Sequence, residues 1–295
     1  MLIHLFDSLF VSERYMNFRL INYKTKPLSA KYLTDVYDLS NGNKEFIYCC
    51  VPNGELGITI VLEGVCHIKT DEGWQKQSKV HLYGLIDKVQ LLKMSPNYRE
   101  ISFGFYPHCL QLFLKDSLHS TYKTNGTDLF DLFNKEEVNK LYENLCQCKN
   151  DKALMVNIEA FLKDNILTDE LDKRVSAAHH LITQENFYKV DEISSILNVT
   201  PTTLRNLFNK HIGISPKDLI KIHRIKKALD FEITCEESLS QVAYHLQYFD
   251  QAHFSKDFKD STGISPKHYF LDSKLSADFS DFQHWRYDSF ENIIK

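Results

Sequence analysis

The spacing of hydrophobic residues divides the chain into two parts. Between residues 18 and 106, short runs of β-branched and aromatic residues alternate with turn-forming sequences such as Asn41-Gly42 and Pro52-Asn53-Gly54. Short runs bounded by turn residues are typical of β-strands. The pattern predicts strands at 18–23, 32–37, 46–51, 58–62, 65–69, 80–83, 89–92 and 101–106. We therefore expect an all-β barrel or sandwich in this part of the chain.

After residue 107 the hydrophobic residues recur every three or four positions, which is the spacing of one face of a helix. Three sets follow this rule: Leu110, Leu114 and Leu118; Val138, Leu141 and Leu145; and Leu154, Ile158 and Leu162. These helices are candidates for bridging the two parts or for pairing two subunits. The last set ends in a polar stretch at 168–170, which places a domain boundary between residues 165 and 172.

The C-terminal part contains an internal repeat, the sequence signature of duplicated structural units. The sequence Gly213-Ile-Ser-Pro-Lys recurs fifty residues later, beginning at Gly263. Two hydrophobic positions upstream of each copy also match, Leu204 with Phe254 and Phe208 with Phe258. Because these positions are one helical turn apart, we expect a helix before each copy of the repeat, with these residues on its core-facing side. The glycine of each copy follows the end of that helix.

A second, shorter helix precedes each of these helices. Residues 190–197 match residues 239–246 in their hydrophobic spacing, and a tight turn follows each segment. Thr200 and Asp250 are the N-cap candidates for the second helices. Helix, tight turn and helix form the geometry that lays a recognition helix in the major groove of DNA.

The residues of this repeat resemble the DNA-binding domain of AraC-type transcription regulators, which consists of two such units joined by a helix. The matching stretches are SLSQVAYHL at 238–246, DQAHFSKDFK at 250–259, GISPKHY at 263–269 and the linker RIKKAL at 224–229. The resemblance covers about 172–270 and implies a DNA-binding regulator, with activation favoured over repression. The glycine usual in the second turn is replaced by Gln247, and Asn198 occupies the first turn. Asparagine tolerates a left-handed backbone better than glutamine does.

The β part resembles the cupin-like N-terminal domains of the same regulators. The matching features are Pro52-Asn-Gly-Glu-Leu-Gly-Ile-Thr-Ile-Val61 and the later Gly104-Phe-Tyr-Pro-His108. The expected fold class is α+β multidomain: an N-terminal cupin-like barrel with trailing helices at 1–168, an all-α double helix-turn-helix at 172–272, and a tail at 273–295. The resemblance implies an unidentified small effector or a homodimer.

Contacts to DNA are expected from side chains that point away from the predicted core. Base contacts are predicted for Thr202, Arg205, Asn206 and Asn209 in the first unit and for Gln251, Ser255 and Lys256 in the second. Phosphate contacts are predicted for Thr200, Lys210, Lys217, Lys221, Lys259 and Lys267. Seven basic residues and one acidic residue between 201 and 227 give that window a charge of +6, whereas three lysines and three aspartates cancel in the second unit. The first unit is therefore expected to bind DNA more tightly.

Other functions remain as alternatives at this stage. A metal-dependent cupin enzyme would need a His-x-His pair with a further acid and histidine, but His67, His81 and His108 are scattered, so we expect no metal, no cofactor and no catalytic site. Two alternatives to a regulator are compatible with the sequence. The chain is either an enzyme that its helix-turn-helix domain delivers to DNA, or a protein-interaction module with weakened DNA contacts. Salt-independent binding would favour the interaction module.

Charge, cysteine content and the lack of long apolar runs indicate where the protein is located. The 295 residues carry a formal net charge of -4 and seven cysteines without the even spacing of a disulfide framework. The first ten residues lack the basic segment of a signal peptide, and no apolar run has the length of a membrane span. We therefore expect a cytoplasmic protein whose partners are double-stranded DNA and RNA polymerase.

Overall fold

The computed structural model describes residues 16–115, 126–168, 170–184, 188–229 and 238–275. Its N-terminal part contains ten strands: β1 (Met16–Leu20), β2 (Leu33–Asn41), β3 (Phe46–Cys50), β4 (Leu56–Glu63), β5 (Cys66–Thr70), β6 (Gly73–Lys76), β7 (Val80–Tyr83), β8 (Gln90–Met94), β9 (Arg99–Phe105) and β10 (Thr127–Asp128). All eight predicted strands are present within a few residues of their expected bounds. The short strands β6 and β10 were not predicted.

The strands form two antiparallel sheets instead of a closed barrel. One sheet has six strands in the order β1-β2-β9-β4-β7-β10, and the other has four in the order β3-β8-β5-β6. The six-stranded sheet buries Val36, Ile58 and Phe103 on the face toward the helices. Its opposite face contributes Leu39 and Val61 to a core shared with the four-stranded sheet. The α+β class is confirmed, and the β part is an open two-sheet arrangement.

Helices cover the apolar face of the larger sheet. They are α1 (Pro27–Tyr32), α2 (Leu129–Leu132), α3 (Lys135–Gln147) and α4 (Asp151–Asn165). The predicted apolar stripes of α3 and α4 are confirmed, because all six residues assigned to the two stripes are buried. Asn134 and Asn150 accept backbone N–H bonds at the starts of α3 and α4 and fix where each helix begins.

The predicted helix on Leu110, Leu114 and Leu118 is wrong. Only Leu110–Phe113 is helical, as one turn of 3-10 helix, and Leu118 lies outside the described residues. Leu110, Leu112, Phe113 and Leu114 are all buried. A segment that is buried on every side carries no single apolar stripe, so the spacing of its leucines did not report its conformation.

The described residues of the C-terminal part form seven helices. They are α5 (Lys173–Thr183), α6 (Val190–Ile196), α7 (Pro201–His211), α8 (Pro216–Leu229), α9 (Leu239–His245), α10 (Gln251–Thr262) and α11 (Pro266–Leu275). The pairs α6–α7 and α9–α10 are the two predicted helix-turn-helix units, and α8 lies between them. Gly213 and Gly263 adopt φ values of 85° and 82° just after α7 and α10, which terminates both helices as the repeat predicts.

The turns within the two units share a left-handed residue. Asn198 has φ 53° and Gln247 has φ 56°, so the glutamine adopts the conformation that a glycine would take without steric cost. The backbone bonds are equivalent, since Val199 donates to Ser194 and Tyr248 donates to Ala243. The substitution therefore leaves the turn geometry intact.

The two units pack against different surfaces of the β part. One hydrophobic cluster continues from the six-stranded sheet through α5 to Leu204 and Phe208 of α7. A second cluster joins Leu91 of β8 to Phe254 and Phe258 of α10. The first unit is thus connected to the β part through α5 and α8, whereas the second unit contacts the four-stranded sheet directly.

Two further observations concern the described part of the chain. Its six cysteines, Cys49, Cys50, Cys66, Cys109, Cys146 and Cys148, are all free. Within the ranges given above, no helix is both long and apolar enough to cross a bilayer. Residues 276–295 of the predicted tail lie outside the described residues.

Candidate DNA-binding surface

Helix α7 presents a polar face opposite its buried side. Leu204 and Phe208 are fully buried. The four residues predicted to contact bases in this unit, Thr202, Arg205, Asn206 and Asn209, are all exposed. Because they are spaced by three, four and seven positions, they lie along one face of the helix. Arginine fits the two acceptors of guanine, and asparagine fits the donor and acceptor of adenine.

The ends of α7 carry further groups suited to phosphate. Thr200 caps the helix, with its Oγ1 accepting a hydrogen bond from the Thr203 N–H at 3.0 Å. This confirms the predicted N-cap and leaves the helix N-terminus at the surface, where its partial positive charge favours an anion. Lys210 at the other end of α7 and Lys217 at the start of α8 are both exposed.

Helix α10 repeats this arrangement. Asp250 caps it by accepting from the His253 N–H at 2.7 Å, which confirms the second predicted cap. The carbonyl oxygen of exposed Gln251 accepts a hydrogen bond from the Ser240 hydroxyl at 2.7 Å, so α9 orients this amide. Ser255 is half-buried, and the three lysines assigned to DNA in this unit, Lys256, Lys259 and Lys267, are exposed.

Three basic residues of α8 are engaged inside the protein. The Lys221 Nζ lies 3.6 Å from an oxygen of Asp257, and the Lys226 Nζ lies 3.5 Å from an oxygen of Glu55. The Arg224 guanidinium lies 5.3 Å from the centre of the Tyr248 ring, and burial lowers the pKa of this arginine. The +6 window therefore overstates the charge that the first unit offers to DNA, and any phosphate contact by Lys221 competes with its ion pair.

The same ion pairs change the balance in the second unit. Asp257 contacts Lys221 and, at 3.5 Å, the imidazole of His253. The negative charge of Asp257 is therefore compensated by groups of the protein itself. Lys256, Lys259 and Lys267 are left to face Asp250 and Asp260. The charge difference between the two units is consequently smaller than the sequence predicted.

Two exposed aromatic residues of the second unit were not identified from the sequence. Tyr244 of α9 is 80% exposed, and Phe249 in the turn before α10 is 93% exposed. The repeat contained a signal for Phe249, because the second turn is one residue longer than the first and ends with this aromatic residue.

The four-stranded sheet forms a direct junction with the second unit. Ile47, Cys49 and Val51 pack against the cluster that contains Phe254 and Phe258. The Val89 N–H also donates a hydrogen bond to the Ser261 carbonyl at 2.9 Å. The four-stranded sheet is therefore attached to α10 by both apolar and backbone contacts.

The space between the two sheets is polar near its centre. Tyr37, Tyr48 and Tyr83 keep some accessible surface, yet burial raises the pKa of each phenol well above its usual range. The three phenols are thus packed within the protein between the sheets. Gly57 makes room for the Tyr83 side chain, because a Cβ at this position would lie 2.5 Å from the Tyr83 hydroxyl.

A carboxyl group faces the same space. Burial raises the pKa of Glu100 to about 7, although Tyr98 and Ser102 both donate hydrogen bonds to it. The Thr59 and Ser102 hydroxyls lie 2.7 Å apart beside it. The interior therefore offers a carboxyl and several hydroxyls as hydrogen-bonding groups.

Three histidines meet where the β part joins α5 and α8. The rings of His108 and His179 are 5.0 Å apart, and His179 interacts electrostatically with His223. Burial lowers the pKa of His108 and His223 to about 4 and that of His179 to about 3. Across the described ranges no group of three or more histidine, cysteine or acidic residues has an arrangement that holds a metal ion.

Comparisons with known proteins identify the C-terminal part. Residues 193–271 match the family described as "Helix-turn-helix domain". The urease operon transcriptional activator of Escherichia coli is 32% identical over 104 residues, which are 35% of this chain and 35% of that protein. An uncharacterized HTH-type transcriptional regulator of Haemophilus influenzae is 26% identical over 110 residues, 37% of each chain. The aligned part thus spans about a third of the length of these relatives.

Among solved structures, ToxT from Vibrio cholerae aligns with 87% of this chain and 98% of its own, at 15% identity and a TM-score of 0.40. The family match at 193–271 lies in the helix-turn-helix part of the chain.

Proposed function

Because residues 193–271 form a helix-turn-helix domain of the AraC type, we propose that this protein is a sequence-specific DNA-binding regulator that activates transcription. The observation that carries the proposal is the pair of capped helices α7 and α10, each with a buried side of large hydrophobic residues and an exposed polar face. Two recognition helices held by one chain suit successive major-groove segments of one DNA face. The names of two relatives, the urease operon activator and the lactose operon transcription activator of Staphylococcus xylosus, support activation.

We assign base contacts to the exposed residues of α7 and α10 and phosphate contacts to the exposed lysines around them. The organisation proposed with this function is a sensing domain at 1–168, a DNA-binding domain at 172–272 and a tail at 273–295. We further propose that the protein acts as a homodimer in the cytoplasm and contacts RNA polymerase. Helices α3 and α4, which cover the β part, are the proposed pairing elements.

The polar space between the sheets is the proposed site for a small effector. Strand β3 connects this site with the second helix-turn-helix unit, because alternate residues of a strand point to opposite faces of the sheet. Tyr48 and Cys50 face the polar region around Glu100 between the sheets, whereas Ile47 and Cys49 pack on the second helix-turn-helix unit. A ligand that moves this strand therefore moves α10 relative to α7.

The proposal is tested by selecting DNA fragments from a random pool and measuring their affinity in a salt series. We expect one preferred sequence with repeated half-sites, and an affinity that falls steeply as salt rises. Arg205→Ala is expected to weaken the preferred sequence by about tenfold to a hundredfold and to reduce discrimination at one base pair. The control is Lys76→Ala, at an exposed lysine of β6, which leaves both quantities unchanged.

Two results would contradict the proposal. Equal affinity for the selected sequence and for random duplex at moderate salt would overturn the regulator function. Unchanged discrimination in Arg205→Ala would overturn the assignment of α7 as a base-reading helix.

A further inference from the structure

Phe249 is the most exposed of the large hydrophobic side chains that the structure describes. It lies in the turn between α9 and α10, directly before the N-cap Asp250 and two residues before Gln251. Neighbouring Tyr248 is buried against α10, with its ring centre 5.4 Å from that of Phe254. The turn therefore directs one aromatic residue into the core and the next into solvent.

The position of Phe249 relates it to DNA. In a helix-turn-helix unit, the N-terminal residues of the recognition helix approach the base edges most closely. Gln251, whose amide is oriented by Ser240, is one such residue in α10. Phe249 stands at this same end and does not belong to the buried side that Phe254 and Phe258 occupy.

The chemistry of a phenyl ring selects one target in the major groove. The thymine C5-methyl group is the apolar feature that base edges display there, and phenylalanine is among the side chains that contact it. The second unit also has Asp250 and Asp260 close to its lysines, which limits its attraction to phosphate. An apolar contact adds sequence discrimination that does not depend on salt.

We infer that Phe249 contacts the methyl group of a thymine in the DNA segment bound by α10 and is a specificity-determining residue. The inference rests on the proposed DNA-binding function. It applies to the second unit alone, because Phe249 is the residue by which the second turn exceeds the first. Val199 corresponds to the buried Tyr248 by its backbone bond, and the N-cap Thr200 follows Val199 directly. The two units therefore differ in chemistry as well as in charge.

The test uses the full-length protein and the sequence selected by the wild type. Each thymine in the segment protected by the second unit is replaced in turn by deoxyuridine, which removes only the methyl group. At one position we expect wild-type affinity to fall about fourfold, the effect of losing one buried carbon group. Phe249→Ala is expected to bind the thymine and uracil sequences equally, with an unchanged dependence on salt.

Two further variants control for indirect effects. Tyr244→Ala removes the other exposed aromatic residue of this unit and should keep the wild-type response to uracil. Phe249→Leu keeps an apolar group and should keep part of that response. Because Phe249 is almost fully exposed, its replacement is not expected to change the folded state.

Each outcome decides a different question. If the wild type selects a sequence but Phe249→Ala shows the same uracil response, the methyl contact is wrong and the proposed function stands. If Phe249→Ala binds DNA normally but fails to activate transcription with purified RNA polymerase, Phe249 contacts protein and the inference is overturned. If the wild type selects no sequence, the proposed function fails, and the inference fails with it.

Discussion

Lys226 of α8 and Glu55 of the loop before β4 form an ion pair between the DNA-binding part and the β part, with 3.5 Å between Nζ and Oε1. The Lys226 side chain is only 13% exposed, so water screens this pair less than it screens a surface pair. Nearby, Gly54 packs against Ile222 of the same helix. The pair therefore belongs to a tight contact between α8 and the sheet.

Breaking this pair should destabilise the protein. Glu55→Gln removes the carboxylate charge that faces the Lys226 ammonium, and we expect the free energy of unfolding to fall by about 1–2 kcal/mol. A double-mutant cycle with Lys226→Met, followed by denaturant unfolding, measures the coupling between the two residues. Lys227→Met on the same helix is the matched control. Strictly additive effects of Glu55→Gln and Lys226→Met would show that the pair contributes nothing.

The left-handed turn residue of the second unit gives a second prediction. Gln247→Gly should raise the free energy of unfolding by up to about 1 kcal/mol, since glycine adopts a positive φ without a Cβ clash. Asn198→Gly in the first unit should give a smaller gain, because asparagine already tolerates this region. Thermal unfolding measures both changes. A lower melting temperature for Gln247→Gly would mean that contacts of the glutamine side chain outweigh the backbone cost.

The histidine cluster predicts a loss of stability in mild acid. A pKa of about 3–4 in the folded protein, against about 6.5 in an unfolded chain, means that the unfolded state binds more protons between these values. The stability that the neutral histidines contribute is thus complete above pH 6.5 and is lost as pH falls toward 4. His179→Gln should reduce the loss between pH 6.5 and 5.5 by about 1 kcal/mol.

Chemical unfolding at a series of pH values checks this prediction, with His268→Gln, an exposed histidine of α11, as the control.

Glu100 acts in the opposite direction, because its raised pKa of about 7 makes its ionisation above neutral pH unfavourable in the fold. Its contribution is present below pH 4.5 and is lost as pH rises through 7. A wild-type profile without an acid-side decline above pH 5 would contradict the role of the histidines.

Local signals predicted the DNA-binding part closely. The repeated glycines, the caps at Thr200 and Asp250, and the buried residues Leu204 and Phe258 follow from spacing along a single helix. Such features depend on neighbours within one or two turns, so the sequence alone contains them. The predicted base-contact and phosphate-contact residues remain predictions, although most of them are exposed.

Other features depend on distant residues. The charge of +6 was obtained by counting basic and acidic residues between 201 and 227. Such a count does not show that Lys221 pairs with Asp257 or that Lys226 pairs with Glu55, because these partners are far away in the sequence. The 3-10 turn at Leu110–Phe113 escaped detection because its leucines are buried by several elements at once. The open arrangement of two sheets follows from strand pairing, which the alternation of residues within each strand does not specify.

The separate attachment of the two helix-turn-helix units to the β part has an evolutionary consequence. Because the first unit is held through α5 and α8 and the second directly through β8, the shape of the β part sets the distance between α7 and α10. Under the proposed function, substitutions in the sheets would change the spacing of the DNA elements that are bound, while the residues assigned to base contacts stay the same.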